Sequence, residues 1–311
     1  MEIVLGLILL LVGGDTLVRG SVAVARKIGI SELMIGLTLV GFGTSTPELV
    51  TSIQAALAGS PGIAVGNVVG SNIANILLIL GTAALIYPIA CQPAAIRRDG
   101  FVLVLAALSC VAVSLWGHMN LWVGVLFILL LAGYLFYSYL NERNTQQPSA
   151  ELHRAEVEIA EPWTQKLWVG LVLAVVGIVL TILGAQFLVS GAIKLSRAWG
   201  ISETIIGLTI VAVGTSLPEL VTSIVAALKR KSDLALGNVI GSNIYNVWFI
   251  LGATSLVKPI DFPSSIVVVD IWVMLAASIL MLVIALKRGA ISRWVGLGFL
   301  VLYGVYIATM A

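Results

Sequence analysis

Long apolar runs separated by short polar segments fill most of the chain, and their lengths predict helices. Ten runs approach or exceed the roughly 20 residues that a helix needs to cross a bilayer. They are 2–25, 32–58, 62–87, 99–116, 119–140, 165–194, 203–228, 233–257, 264–286 and 291–310. The one long polar stretch, 141–164, separates the first five runs from the last five. The pattern therefore predicts two five-helix halves, 1–140 and 165–311, joined by a connector.

The composition agrees with helices that lie in lipid. Hydrophobic residues make up 59% of the 311 positions and charged residues only 10%, against about 25% charged residues in soluble domains. The first run carries Glu2 rather than a basic region, so it is expected to be a span and not a signal peptide. Cys110 lies inside an apolar run, so a structural disulfide with Cys91 is not expected. The net charge of +2 suggests no nucleic-acid partner, and no cofactor or obligate protein partner is evident.

The basic residues predict the orientation of the spans. If the N-terminus is outside, 14 of the 17 lysines and arginines fall on the inner side and three, Lys194, Arg197 and Lys258, on the outer side. Cytoplasmic loops carry an excess of lysine and arginine. The distribution predicts a multi-pass protein of the plasma (inner) membrane with both termini outside and the 141–164 connector in the cytoplasm.

The two halves repeat each other at a shift of 171 residues. Between 29–81 and 200–252, 34 of 53 positions are identical without a gap, and the identities include polar positions. Because five spans is an odd number, the second half must enter the membrane from the opposite side to the first. The sequence thus predicts an all-α membrane protein of ten transmembrane helices arranged as two inverted five-helix repeats, a common transporter plan.

Two glutamates lie deep inside apolar spans. Glu48 and Glu219 occupy equivalent positions in spans two and seven, where a charge costs about 2.5–3.5 kcal/mol on insertion scales. No lysine or arginine lies near them in spans two, three, seven or eight, so the charge partner is predicted to be a cation that comes and goes. Pro47 and Pro218 precede the glutamates and should break both helices. The breaks would free backbone carbonyls near 41–43 and 212–214 as oxygen ligands.

Other oxygen-bearing side chains follow the glutamates at helical spacing. Steps of three and four residues put them on one face of each helix, and Ca2+ takes 6–8 oxygen ligands. The groups are Thr44, Ser45, Glu48, Thr51, Ser52, Asn67, Ser71 and Asn75, with equivalents Thr215, Ser216, Glu219, Thr222, Ser223, Asn238, Ser242 and Asn246. Thr51, Thr222, Asn67 and Asn238 are interpreted as groups that hydrogen-bond between helices.

The remaining acidic residues in the apolar regions receive more ordinary interpretations. Ser31-Glu32 and Ser202-Glu203 look like helix starts, with a capping oxygen and an acidic first turn. Asp99 and Asp270 lie near predicted helix starts, and capping is the favoured role for both. Asp15 has two interpretations, an interaction with nearby Arg19 or a position on an ion path.

The motif GTSTPELVTS at 43–52 and its copy GTSLPELVTS at 214–223 are similar to motifs of a known family. Together with GNVVGSNIANI at 66–76 and GNVIGSNIYNV at 237–247, they resemble the two alpha-repeats of the cation/calcium exchanger superfamily. The likeness spans the ten-span chain and is greatest to the Na+/Ca2+ exchanger branch and its prokaryotic members.

The resemblance implies a function, a core and a ligand set. The function is secondary antiport of Na+ against Ca2+, with both ions as substrates. The core is formed by spans two, three, seven and eight, across which spans one and six slide to switch access. The implied ligands are Thr44, Ser45, Glu48, Ser71, Asn75, Thr215, Ser216, Glu219, Ser242 and Asn246, with the backbone carbonyls of Gly41 and Ala212.

One departure from the family pattern concerns charge. Many members of this branch carry aspartate where this chain has Asn246, so the site here has two carboxylates rather than three. The proton-coupled branch usually has a glutamate in a GNxxE pattern, where this chain has Gly70 and Gly241. That favours Na+ over H+ as coupling ion, with an H+/Ca2+ antiporter of the same fold as the alternative. A cation channel fits an inverted repeat less well, and the spans hold no serine–histidine or metal-ligating histidine pattern typical of an enzyme.

Overall fold

The computed structural model describes residues 2–144, 166–198, 214–264 and 266–310, and these are overwhelmingly helical. The helices are α1 (Glu2–Ile28), α2 (Glu32–Thr44), α3 (Thr46–Leu57), α4 (Pro61–Ile86), α5 (Pro93–Trp116), α6 (Leu121–Asn144), α7 (Leu167–Ala198), α8 (Leu217–Leu228), α9 (Ser232–Val257), α10 (Ile266–Arg288) and α11 (Arg293–Met310).

Most of these helices are long and apolar enough to cross a membrane. Within the described ranges seven qualify singly, and α2 with α3 make an eighth if a pair bent by 43° counts as one span. The bend confirms the predicted break in the second span. Two shorter apolar helices, Leu217–Leu228 and Arg293–Thr309, complete the set. The first part of the predicted seventh span, 203–213, and most of the 141–164 connector lie outside the described residues.

One predicted boundary was wrong. The fourth span was expected to start at 99, but α5 starts at Pro93 and runs through Arg97, Arg98 and Asp99. Arg98 and Asp99 form an ion pair, with Nε 2.6 Å from Oδ1. The two charges neutralise each other, so both can lie inside the helix. A hydropathy pattern takes the same two charges as the end of the helix.

The capping role expected for Asp99 and Asp270 was also wrong. Both lie inside helices rather than at their first residues. The Tyr134 hydroxyl donates to Asp99 and the Tyr306 hydroxyl donates to Asp270, each over 3.0 Å. Ser31 does cap α2 as predicted, since its side chain accepts from the Met34 N–H.

The described residues include four two-residue strands that the sequence did not predict, and these strands join loops in pairs. β1 (Ile89–Ala90) pairs antiparallel with β4 (Ala290–Ile291), and β2 (His118–Met119) pairs with β3 (Ile260–Asp261). The first pair joins two loops that the basic residues assign to the inner side, and the second joins two loops assigned to the outer side. Lys231 and Glu32, both on the predicted inner side, form an ion pair as well.

The helices are arranged around a buried centre. In an 18-residue apolar stretch of each helix, 94% of the residues are buried in α9 and 72% in α4, but only 28% are buried in α6 and in α7. Large apolar side chains on the outer helices, such as Leu11 and Trp122, are exposed, as expected where lipid is the solvent. The centre of the fold is therefore formed by α4 and α9, the helices that carry the asparagine stripes.

Helices α1 and α7 pack along a seam of glycines spaced seven residues apart. A Cβ added at Gly184 would lie 2.7 Å from the Leu10 backbone nitrogen and 2.9 Å from the Gly6 carbonyl oxygen. The seam comprises Gly6, Gly13, Gly20, Gly170, Gly177, Gly184 and Gly191. Small residues let membrane helices approach backbone to backbone, so the two longest helices are held unusually close.

Candidate cation site

The two buried glutamates lie in the first turns of short helices that begin inside the molecule. Glu48 follows Pro47 in α3, and Glu219 follows Pro218 in α8; each side chain is 1% exposed. Proline is tolerated in a first turn because the N–H that it lacks would have no partner there. The positive end of the helix dipole favours a negative charge at this position. The local sequence thus starts a helix and sets a carboxylate at its favourable end.

The bend between α2 and α3 falls at Ser45, two residues before Pro47, and the 41–43 segment, whose carbonyls the break was expected to free, stays helical. The carbonyl of Gly41 accepts the Ser45 N–H over 3.2 Å and lies 3.5 Å from the Thr44 hydroxyl oxygen, so a cation there would share it with these donors. Its predicted counterpart, Ala212, lies outside the described residues. The freed carbonyls are therefore fewer than a fully unwound segment would supply.

Each glutamate accepts a hydrogen bond from a serine of the other half of the chain. Ser45 Oγ donates to Glu219 Oε1 over 2.9 Å, and Ser216 Oγ lies 3.2 Å from Glu48 Oε1. The Ser216 hydroxyl is also 3.2 Å from Ser71 Oγ. These contacts join the start of α3 to the start of α8, so the glutamates of the two halves lie against each other's serines.

Asn67 and Asn238 support the glutamates from behind. Asn67 Nδ2 donates to the Glu48 carbonyl and to Ser52 Oγ, over 3.2 and 3.0 Å. Asn238 Nδ2 makes the equivalent bonds to Glu219 and Ser223, over 3.3 and 3.0 Å. Both amides are used in interhelix bonding, in agreement with their interpretation from the sequence.

The two threonines of the motifs lie against these asparagines. Thr44 Oγ1 is 3.3 Å from Asn238 Oδ1 and 3.1 Å from the Val40 carbonyl oxygen. Thr215 Oγ1 is 3.5 Å from Asn67 Oδ1. The interhelix role expected for Thr222 is not met, because its buried hydroxyl has no hydrogen-bond partner among the described residues.

Five buried oxygens of the predicted ligand set have no hydrogen-bond partner in the described part of the chain. They are Glu48 Oε2, Glu219 Oε2, Asn75 Oδ1, Asn246 Oδ1 and Ser242 Oγ. A buried acceptor without a partner costs about 1–3 kcal/mol, and more if it is charged. Oxygens of this kind are what a hard cation takes as ligands. The cluster therefore has the donor chemistry of a Na+ or Ca2+ site.

The asparagines of the set lie where the helices change their winding. Asn75 begins a π-helical stretch, Asn75–Leu80, and Asn246 is the second residue of another, Tyr245–Leu251. Short π-helical stretches within α-helices are frequent at functional sites. The predicted stripes, drawn for regular α-helices, end at these two residues.

Asn72, the counterpart of Asn243 in the first half, was missed as a candidate. Asn246 Nδ2 donates to Asn72 Oδ1 over 2.9 Å, and Asn72 Nδ2 lies 3.3 Å from the Asn243 carbonyl oxygen. Both asparagines recur in the sequence repeat, but they lie off the four-residue stripe. The repeat itself was the signal that could have found them.

Comparisons with known proteins agree on one family. A profile described as sodium/calcium exchanger protein matches residues 2–140 and 169–311. The putative antiporter CaxA of Alkalimonas amylolytica is 37% identical over 94% of this chain and 91% of its own. The sodium/calcium exchanger MaX1 of Methanosarcina acetivorans is 33% identical over 99% of this chain and 97% of its own.

Solved structures agree as well. The structure of the sodium-calcium exchanger NCX_Mj soaked with 10 mM Na+ and zero Ca2+ superposes with a TM-score of 0.86 at 34% sequence identity, covering 100% of this chain and 98% of that one. The match extends over both halves and therefore includes the glutamate cluster.

Proposed function

This chain belongs to the sodium/calcium exchanger protein family, and we propose that it exchanges Na+ for Ca2+ across the plasma membrane by alternating access. Its family membership makes it a membrane antiporter of the calcium/sodium exchange type. The proposal adds that this chain couples Ca2+ movement to Na+ rather than to H+. The observation that carries the proposal is that five oxygens of the proposed ligand set, one on each of Glu48 and Glu219 among them, are buried without a hydrogen-bond partner among the described residues.

The two glutamates carry the charge of the site and the neutral groups complete it. Two carboxylates balance one Ca2+ or two Na+, so the two ions compete for the same oxygens. If more than two Na+ return per Ca2+, the cycle moves net charge across the membrane. The full set of proposed ligands is Thr44, Ser45, Glu48, Ser71, Asn75, Thr215, Ser216, Glu219, Ser242 and Asn246, with the carbonyls of Gly41 and Ala212.

The proposal includes the ten-span inverted topology, with halves at 1–140 and 165–311 and a cytoplasmic connector between them. Reciprocal hydrogen bonds support this topology, since Ser45 donates to Glu219 and Ser216 donates to Glu48. Loop contacts support it too, because β1 with β4 and β2 with β3 each join loops that the topology assigns to one side. Both termini are then outside, and α1 and α7 move across the core to change access.

The test is 45Ca2+ uptake into proteoliposomes loaded with Na+, compared with vesicles loaded with K+ or choline at equal pH inside and out. Uptake that requires internal Na+ supports the proposal. Uptake that ignores Na+ but follows an imposed pH gradient would assign the chain to H+/Ca2+ antiport instead. A Glu48→Gln preparation gives the background, because it removes one site charge while its amide oxygen still accepts from Ser216.

A further inference from the structure

The direction in which the Asn246 amide points decides whether it can bind a cation. An asparagine side chain ends in an oxygen that accepts and an NH2 group that donates, and the two ends have nearly the same shape. Only the oxygen can be a cation ligand. A neutral ligand of this kind therefore needs something that fixes which end faces the ion.

Two hydrogen bonds of Asn72, here called the Asn72 relay, fix the orientation of the Asn246 amide. The amide of Asn72 lies 3.3 Å from the Asn243 backbone carbonyl, and a carbonyl oxygen can only accept. The Asn72 NH2 group must therefore face that carbonyl, and its oxygen must face away. That oxygen accepts from Asn246 Nδ2 over 2.9 Å. Asn246 Oδ1 is left buried, without a hydrogen-bond partner among the described residues.

We propose that Asn72 is a positioning residue that holds the Asn246 amide with its oxygen toward the transported cation, an inference that rests on the proposed function. Asn72 and Asn246 are 3% and 1% exposed, so water does not compete for the bond between them. Asn72 touches no ion itself and acts through Asn246.

Among the described residues of the other half, the equivalent amide makes a different bond. Asn243 occupies the position equivalent to Asn72, but its NH2 group donates to the Val239 carbonyl of its own helix over 2.7 Å. Asn243 Oδ1 and Asn75 Oδ1 are both without a hydrogen-bond partner within the described ranges. Asn243 is equally buried and equally polar, and it therefore provides a matched control for Asn72.

A carboxylate at position 246 would make the relay unnecessary, because both of its ends are oxygens. An Asn246→Asp background can therefore distinguish a positioning role of Asn72 from a role in packing. Loss of the Asn72 amide should weaken Ca2+ binding when residue 246 is asparagine. It should not weaken binding when residue 246 is aspartate, because the Asn72 oxygen would then face a second acceptor and make no hydrogen bond to it. A packing role for Asn72 would cost the same in both backgrounds.

The experiment is equilibrium 45Ca2+ binding to purified protein in detergent, with a size-exclusion profile for each variant. We expect Asn72→Leu to weaken binding by about threefold to tenfold, the equivalent of one net hydrogen bond. Asn243→Leu should change binding by less than about twofold. Asn72→Leu placed on Asn246→Asp should not weaken binding relative to Asn246→Asp alone. Asn72→Ala replaces Asn72→Leu if leucine disturbs the fold.

The outcomes separate the two ideas. Wild-type protein that binds no Ca2+ would overturn the proposed function and this inference with it. Wild-type binding together with equal losses in Asn72→Leu and Asn243→Leu would overturn the inference alone. An equal loss from Asn72→Leu in the asparagine and aspartate backgrounds would do the same.

Discussion

Replacing Gly184 by alanine should loosen the seam between α1 and α7. The new Cβ would lie 2.7 Å from the Leu10 nitrogen and 2.9 Å from the Gly6 oxygen. Both are backbone atoms, so neither can turn aside as a side chain could. To restore an ordinary contact of about 3.4 Å, the helices must separate by about 0.7 Å there, and a gap of that size forfeits a quarter to a half of each dispersion contact across it.

The cost is worked from that separation. A dispersion contact contributes about 0.1–0.2 kcal/mol, and if about 40 atom pairs around Gly184 are stretched, the loss is about 2 kcal/mol. This falls within the roughly 1–3 kcal/mol typical of overpacking. For a chain of this size, 2 kcal/mol corresponds to a fall in Tm of roughly 3–6 °C.

The assay is thermal unfolding of detergent-purified protein followed by fluorescence-detected size exclusion. Gly304→Ala is the matched control, because Gly304 lies in α11 with nothing within 4 Å of an added Cβ. Alanine there should leave Tm unchanged or raise it slightly, since alanine favours helix more than glycine does. Equal Tm values for Gly184→Ala and Gly304→Ala would refute the idea that backbone proximity holds the seam.

Three further predictions concern charge and reactivity. Glu48→Gln or Glu219→Gln should abolish Na+-dependent 45Ca2+ uptake while the protein still elutes as a folded species, because one carboxylate cannot balance a buried divalent ion; normal exchange by either variant would remove that residue as a ligand. Asp15 pairs with Arg19 and Lys229 over 2.7 and 2.5 Å at a partly exposed position, so Asp15→Asn should cost less than about 1 kcal/mol, and a Tm fall above about 5 °C would contradict this. Burial raises the pKa of the Cys91 thiol to about 12, which keeps it neutral at pH 7.5, so a maleimide should label it slowly until the protein is unfolded.

The sequence predicted the long elements well because lipid imposes one pattern on all of them. The break in the second span followed from Pro47, and the helix start at Glu32 followed from Ser31. The start of α5 was missed because two neighbouring charges, Arg98 and Asp99, neutralise each other inside the helix. Hydropathy counts charges singly, so it cannot register a pair.

The site was predictable in its members but not in its contacts. Glu48 and Glu219 stood out because each is a charge without a partner in an apolar span. The bond from Ser45 to Glu219 joins residues 174 positions apart, and no local pattern encodes such a distance. The two-residue strands were unpredictable for the same reason, since Ile89 pairs with Ile291. The Asn72 relay depends on which way an amide turns, which only its neighbours in space determine.

Each half of the chain supplies the serine that hydrogen-bonds to the glutamate of the other half. This arrangement bears on how such a chain could originate. A polypeptide with 1–140 alone would have Glu48 but not the hydroxyl of Ser216 that contacts it. Under the proposed inverted topology, such a polypeptide would complete its site only by pairing with a second copy inserted in the opposite direction. Fusion of two copies makes that pairing permanent and frees each copy to diverge. Asn72 and Asn243 already differ in this way, because the Asn72 amide donates to the other half of the chain and the Asn243 amide donates to its own helix.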